Sequence, residues 1–212
     1  KPLRWTSFDV VNKTRNALKP LKLKVGHAGT LDPLATGLLV ICTGKLTKQI
    51  DTFQAEEKEY TGTITLGATT PSYDLEREVD RTFPLQNWSE EELFSVAKKL
   101  SGEIEQFPPA HSALKKDGER LYEKARRGEE VELKARKVTV STFELTRIAL
   151  PEIDFRIVCS KGTYIRSLAH DFGRLLDNGG HLSSLRRTRS GQFNVADAWN
   201  LDELVGVLKN SG

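Results

Sequence analysis

The residues best suited to chemistry lie in Gly26-His27-Ala28-Gly29-Thr30-Leu31-Asp32-Pro33-Leu34-Ala35-Thr36-Gly37, where one carboxylate stands among glycine and apolar neighbours. A carboxylate held in such a loop can act as nucleophile or base without a metal or cofactor. Gly26, Gly29 and Gly37 permit sharp turns, and Pro33 drives Asp32 out of helical geometry while fixing the next φ. Taken alone, Asp before Pro is usually an ordinary turn former that accepts a local backbone hydrogen bond. Leu38-Leu39-Val40-Ile41-Cys42 follows before Thr43-Gly44, and this short apolar run predicts a buried strand that anchors the loop.

Three further segments carry reactive or cationic side chains. Lys58-Glu59-Tyr60 opens an alternating run, Ser160-Lys161-Gly162-Thr163-Tyr164-Ile165-Arg166 follows later, and Leu185-Arg186-Arg187 lies near the end. With the Asp32 segment, and in this order, they resemble the motifs of the TruB family of pseudouridine synthases. The opening Lys1-Pro2-Leu3-Arg4-Trp5-Thr6-Ser7-Phe8-Asp9-Val10-Val11 is similar to that family's start, with Arg4 where the pattern commonly has glycine. The resemblance covers nearly the whole chain, and four ordered motifs are far more specific than one.

The resemblance implies an α+β pseudouridine synthase fold: a curved, mixed, largely antiparallel sheet flanked by helices, with the cleft across its face. It implies breakage of the bond from ribose C1′ to uracil N1, rotation of the base and rejoining through C5, which needs no redox change. It assigns Asp32 as the catalytic aspartate, leaving open attack at uracil C6, attack at C1′ and proton removal from C2′. Arg166 is expected against Asp32, where a guanidinium orients a carboxylate through paired hydrogen bonds. Tyr60 is expected to stack on the flipped uracil with its phenol in reach of a proton, and Leu185 to line the uracil pocket. His27 is placed near the flipped nucleotide, Tyr164 in support of the pocket and Lys161 against phosphate. His111 departs from the family pattern, which often has tyrosine or phenylalanine there.

Composition is compatible with this reading. The 212 residues, 38% hydrophobic and 29% charged, are enough for one well-packed domain, expected to span 1–212. No apolar run approaches the roughly 20 residues that span a bilayer, and no signal or lipidation motif is present, so a cytoplasmic location without membrane contact is expected. Cys42 and Cys159 sit in apolar runs without CxxC spacing, and His27, His111, His170 and His181 lack ligand spacing; neither metal nor cofactor is expected. The formal net charge of +3 permits nucleic-acid binding. Its candidate phosphate contacts are Lys19, Lys22 and Lys24, Lys115 and Lys116, and Arg186, Arg187 and Arg189. The sequence contains no methionine and begins inside a recognisable motif, so the natural amino terminus is expected upstream. Many relatives carry an additional RNA-binding PUA domain, for which the chain is expected to end too soon.

The elements that would carry these residues follow from periodicity and capping. Thr6 with Asp9 caps a helix from about Ser7 to Leu18, and Ser89 with Glu92 caps one running to about Leu100, stopped by Gly102. Tyr60, Gly62, Ile64 and Leu66 share one side of a strand. A short charged helix is predicted over Glu119–Arg127, with strands near Lys137–Arg147 and Ile153–Ser160, the latter with Ile153, Phe155, Ile157 and Cys159 as a core face. A helix beginning around Thr163 ends near Gly179-Gly180, a basic strand runs from His181 to Arg189, and Asn200 with Glu203 caps a terminal helix. The combined expectation is a stand-alone synthase acting on the T-loop uridine of tRNA, conventionally position 55, that needs no obligatory protein partner. Its rivals are a guide-RNA-dependent synthase and an RNA-folding protein for which modification is secondary.

Overall fold

Helix starts are set by reciprocal capping. The Asp9 amide donates to Thr6 Oγ1 at 3.1 Å while the Asp9 carboxylate accepts from the Thr6 amide at 2.8 Å, so the first helix begins at Ser7. Ser89 and Glu92 repeat the device at 3.2 and 2.7 Å. The computed structural model describes residues 1–109, 115–116, 119–120 and 134–210. Its helices are α1 (Ser7–Ala17), α2 (Ile50–Ala55), α3 (Glu90–Lys99), α4 (Ile165–Leu175) and α5 (Leu201–Asn210). Its strands are β1 (Val25–Ala28), β2 (Ala35–Gly37), β3 (Val40–Thr43), β4 (Lys58–Leu66), β5 (Ala68–Thr69), β6 (Arg81–Thr82), β7 (Gly102–Gln106), β8 (Lys115–Lys116), β9 (Glu119–Arg120), β10 (Arg136–Ala149), β11 (Glu152–Cys159), β12 (Gly180–Ser190) and β13 (Phe193–Asn194).

These elements build the expected α+β architecture with a mixed sheet. Seven strands form the main sheet in the order β13-β12-β4-β11-β10-β7, with β2 lying off that path on β12. The β13–β12, β11–β10 and β10–β7 pairings are antiparallel, and β2 runs parallel to β12. The chain divides into two units, Lys1–Thr61 with Leu185–Gly212, and Gly62–Ser184; β4 and β12 contribute residues to both.

In the first unit, Val11, Leu18 and Val25 form a small core against which Ile41 and Leu208 pack. Lys13 bonds Asp202, tying α1 to α5, and Asn200 caps α5 by accepting from the Asp202 amide at 3.0 Å. β1 pairs antiparallel with β3. That strand starts at Val40, not at Leu38 as the apolar run predicts, because the Leu38 amide donates instead to the Arg187 carbonyl at 2.8 Å.

In the second unit, the alternation read in β11 is borne out: Ile153, Phe155, Ile157 and Cys159 are all buried. Phe143 meets Phe155 edge-on at 6.2 Å and Phe172 of α4 at 5.9 Å, so helix and sheet share one aromatic cluster. Leu93, Val96 and Ala97 are the buried stripe of α3, and Gly102 beyond it takes φ +84°. The next helix starts at Ile165 rather than Thr163. The Gln106 side chain accepts from the Tyr164 amide at 2.7 Å and donates to its carbonyl at 2.9 Å, holding Tyr164 extended.

The charged helix predicted from Glu119 is corrected at its start: Glu119 and Arg120 form β9, paired with β8 in the register Lys115↔Arg120 and Lys116↔Glu119. The intervening Asp117-Gly118 is a strong two-residue hairpin signal that outweighs the helical charge pattern. Leu121–Arg127 and Ala110–Ala113, His111 included, lie outside the described residues. Among the described residues no helix is long and apolar enough to cross a membrane.

Candidate active site

Asp32 is half-buried and does what its neighbours dictate. Its carbonyl accepts from the Ala35 amide at 3.0 Å, closing a turn with Pro33 in the second position. The turn-former reading and the reactive-carboxylate reading are therefore compatible, since the turn is closed by main-chain atoms alone. On one flank the Leu31 amide donates to Ser7 Oγ at 2.9 Å and Ser7 Oγ to the Leu31 carbonyl at 3.3 Å, anchoring the loop to the first turn of α1. The Pro33 carbonyl accepts from the Arg4 amide at 2.8 Å and from Lys1 Nζ at 3.2 Å. Burial lowers the Lys1 ammonium to about 8, opposed by the Asp32 carboxylate, whose charge favours the protonated form.

Arg187 closes the loop. It is 1% exposed, with Nε donating to the Leu38 carbonyl at 2.8 Å and Nη2 to the Gly29 carbonyl at 3.1 Å. One guanidinium thus grips the chain on both sides of Asp32. The close approach explains Gly37, which has φ +98°: a Cβ there would lie 2.2 Å from the Arg187 carbonyl oxygen. The parallel ladder sets Leu185 opposite Ala35, Arg186 opposite Thr36 and Arg187 opposite Gly37, so two of the four motifs meet strand to strand. Leu185 is buried there.

This corrects the basic cluster. Arg187 is an interior loop clamp, not a phosphate contact, and Arg189 is paired with Glu57 at 2.9 Å; Arg186 is exposed. Lys19, Lys22 and Lys24 are exposed too.

His27 lies in β1 opposite Ile41 and is half-buried. Burial pulls its pKa below the ordinary value; a Gly29 backbone hydrogen bond raises it, and the Arg187 charge lowers it. A neutral imidazole at neutral pH results. Tyr60 is half-buried in β4, behind two anchors. Lys58 Nζ, itself buried, donates to the carbonyls of Phe53, Gln54 and Glu56 at the end of α2, and Glu59 Oε1 accepts from Thr188 Oγ1 at 2.8 Å.

The second unit holds Lys161, Tyr164 and Arg166. Arg166 is not the exposed first-turn arginine that position alone allows: its side chain is 4% exposed. Nη1 donates to the Ser72 carbonyl at 3.1 Å, and Nε stands 3.8 Å from Asp74 Oδ2, itself buried. The other Asp74 oxygen accepts from the Glu76 amide at 3.0 Å. Asp74 had no signal in the sequence beyond being an acid in a loop. Tyr164 is fixed by Gln106 through its main chain, and Lys161 is exposed. Among the described residues no group of three or more His, Cys, Asp or Glu could hold a metal ion.

A model described as "TruB family pseudouridylate synthase (N terminal domain)" matches residues 15–165, and one described as "tRNA pseudouridylate synthase B C-terminal domain" matches residues 166–211. The chain belongs to the TruB family. A relative named tRNA pseudouridine synthase B from Flavobacterium johnsoniae is 60% identical over 203 residues, covering 93% of this chain and 89% of that protein. One of the same name from Phocaeicola vulgatus is 53% identical, covering 95% and 88%. Among solved structures, a chain of a Cbf5-Nop10-Gar1 complex superposes with TM-score 0.70 at 32% identity, covering 92% of this chain and 48% of its own. A chain of an H/ACA RNP bound to a substrate RNA containing 2′-deoxyuridine gives 0.72 at 29%, covering 97% and 50%. This TruB chain therefore spans about half the length of those solved chains and most of the length of its bacterial relatives.

Replacing Arg187 by Lys in this TruB chain removes the planar fork that reaches two carbonyls at once, and should cost about 2–4 kcal/mol of stability. Urea unfolding should show a lower midpoint at unchanged slope. A second expectation concerns pH. The folded-state pKa of His27 lies below the ordinary 6.5, so the unfolded state takes up protons first as pH falls. Stability is full above 6.5 and declines below it. His27→Gln should flatten that decline in thermal unfolding followed from neutral to mildly acidic pH; an unchanged profile would mean His27 is not held neutral.

Proposed function

We propose that this chain isomerises uridine to pseudouridine in tRNA, and that its target is the T-loop uridine conventionally numbered 55. The observation that carries the reading is the Asp32 turn gripped by Arg187 with Leu185 in register beside it: a carboxylate aimed by a rigid loop, next to an apolar wall suited to a base. The similarity to bacterial proteins named tRNA pseudouridine synthase B, at up to 60% identity among those described, supports tRNA as the substrate. The guide-dependent reading is less supported, because the H/ACA chain is only 29% identical.

The chemistry asks little beyond these side chains. Asp32 supplies the carboxylate that stabilises the cleaved state between loss of the C1′–N1 bond and formation of the C1′–C5 bond. Taking the uridine out of its stack costs a few kcal/mol, and a neutral His27 is suited to filling the space it leaves. Tyr60 offers a ring for stacking and a phenol for proton transfer, and Tyr164 supports the pocket. Arg166 is the cation that the SKGTYIR segment supplies to the reaction, and Lys161 and the exposed lysines contact phosphate. The reaction needs neither cofactor nor protein partner, and its substrate places it in the cytoplasm.

A T-loop presents unstacked bases in a defined shape, so a short stem-loop should carry the recognition. The purified chain should convert the same uridine in unmodified tRNA and in a T-arm minihelix, read by site-resolved pseudouridine mapping. Asp32→Asn should bind both RNAs and convert neither. Product at the parental rate from that variant would sink the Asp32 assignment. A requirement for added guide RNA would replace the stand-alone reading by the guide-dependent one, and rescue of cells by Asp32→Asn would favour a folding role.

A further inference from the structure

Arg166 and His170 are four residues apart on α4 and so share one face of the helix. That face addresses three consecutive residues of one turn. The guanidinium takes the Ser72 carbonyl at 3.1 Å and stands 3.8 Å from the Asp74 carboxylate, while the His170 ring lies flat on the Tyr73 ring, centroids 3.9 Å apart and planes at 14°. Tyr73 itself has φ +63°, a left-handed conformation that a bulky side chain adopts only when its surroundings impose it.

The imposed turn is what brings Ser72 and Asp74 to the same guanidinium. Its backbone is wired on every side: the Tyr73 amide donates to the Thr70 carbonyl at 3.1 Å, the Leu182 amide to the Tyr73 carbonyl at 2.9 Å, and Thr70 Oγ1 to the Asp74 carbonyl at 2.6 Å. Glycine is the residue such a backbone favours. Tyrosine in its place has a ring to hold, and the only ring stacked on it among the described residues belongs to the helix that carries Arg166.

We infer that the Tyr73–His170 stack is a positioning element that fixes the Ser72–Asp74 turn against Arg166 for the isomerisation. The inference rests on the function proposed above. Burial lowers the pKa of His170 and raises that of Tyr73, so both rings are neutral near pH 7 and the contact is aromatic, not ionic.

The test uses the full chain and unmodified tRNA, with single-turnover pseudouridine formation and RNA affinity measured for Tyr73→Gly, Tyr73→Phe, His170→Ala and the Tyr73→Gly/His170→Ala pair. Glycine accepts the left-handed backbone, so Tyr73→Gly removes the ring without straining the turn. Each ring deletion should slow the single-turnover rate constant about tenfold while RNA affinity stays within about twofold. The double variant should be no slower than either single, because both remove one contact. Tyr73→Phe should restore the rate. A parental rate constant for Tyr73→Gly, a loss confined to affinity or melting temperature, additive losses in the double variant, or failure of phenylalanine to rescue would each overturn the inference. Equal rate constants for the parent and Tyr73→Gly reject this inference alone; no product from the parent rejects the function and the inference with it.

Discussion

A buried guanidinium bonded to main-chain carbonyls is the constraint on which the Asp32 loop depends. Arg187 carries a charge that needs hydrogen-bond partners inside the protein, and the Gly29 and Leu38 carbonyls supply them. Those carbonyls are available only because the loop between them is folded tightly, with Gly29 at φ +90° and Gly37 at φ +98°. Arginine and loop therefore specify each other. Opening the loop strands a buried cation; removing the cation takes a donor from the half-buried Gly29 carbonyl and from the buried Leu38 carbonyl, the latter at a cost of about 1–3 kcal/mol. Asp32 lies between the two gripped points, so its position follows from this mutual requirement and from the Ser7 bonds to Leu31.

The second unit uses the same physical device with different parts. Arg166 is also buried, also takes a main-chain carbonyl and also meets a turn with a left-handed residue, here Tyr73 in place of glycine. The difference is the buried carboxylate of Asp74, which offsets the charge of Arg166. A buried ion pair of this kind is weak as a source of stability and strong as a source of geometry, because either partner alone is expensive to keep. Two interior arginines, one in each unit, thus convert flexible loops into defined ones.

Much of this was legible in the residues themselves. Both capping boxes fix helix starts, period-two alternation identifies the buried face of β11, and two of the motifs are the segments that the parallel ladder pairs, Ala35–Gly37 with Leu185–Arg187. The inward role of Arg187 was obscured because three arginines in a row of five read as a charged surface. Yet a strand alternates, so Leu185 and Arg187 must share a face opposite Arg186, and a buried Leu185 implies a buried Arg187. Asp74 had no such signal: loop acids are common, and its importance comes from a partner far along the chain. α4 starts two residues later than its sequence suggests because Gln106 of β7 bonds both main-chain groups of Tyr164 and holds it extended, a contact that no local pattern reveals.

Native-state hydrogen exchange of the Asp32 loop tests most directly whether Arg187 makes that loop part of the rigid fold. The account predicts that the amides of Leu31, Ala35 and Leu38, bonded to Ser7 Oγ, the Asp32 carbonyl and the Arg187 carbonyl, exchange as slowly as the buried amides of α1. They should open only when the first unit unfolds. Fast exchange of Ala35 and Leu38 while α1 stays protected would show a loop that opens by itself, and would contradict the claim that the buried arginine holds the carboxylate in place.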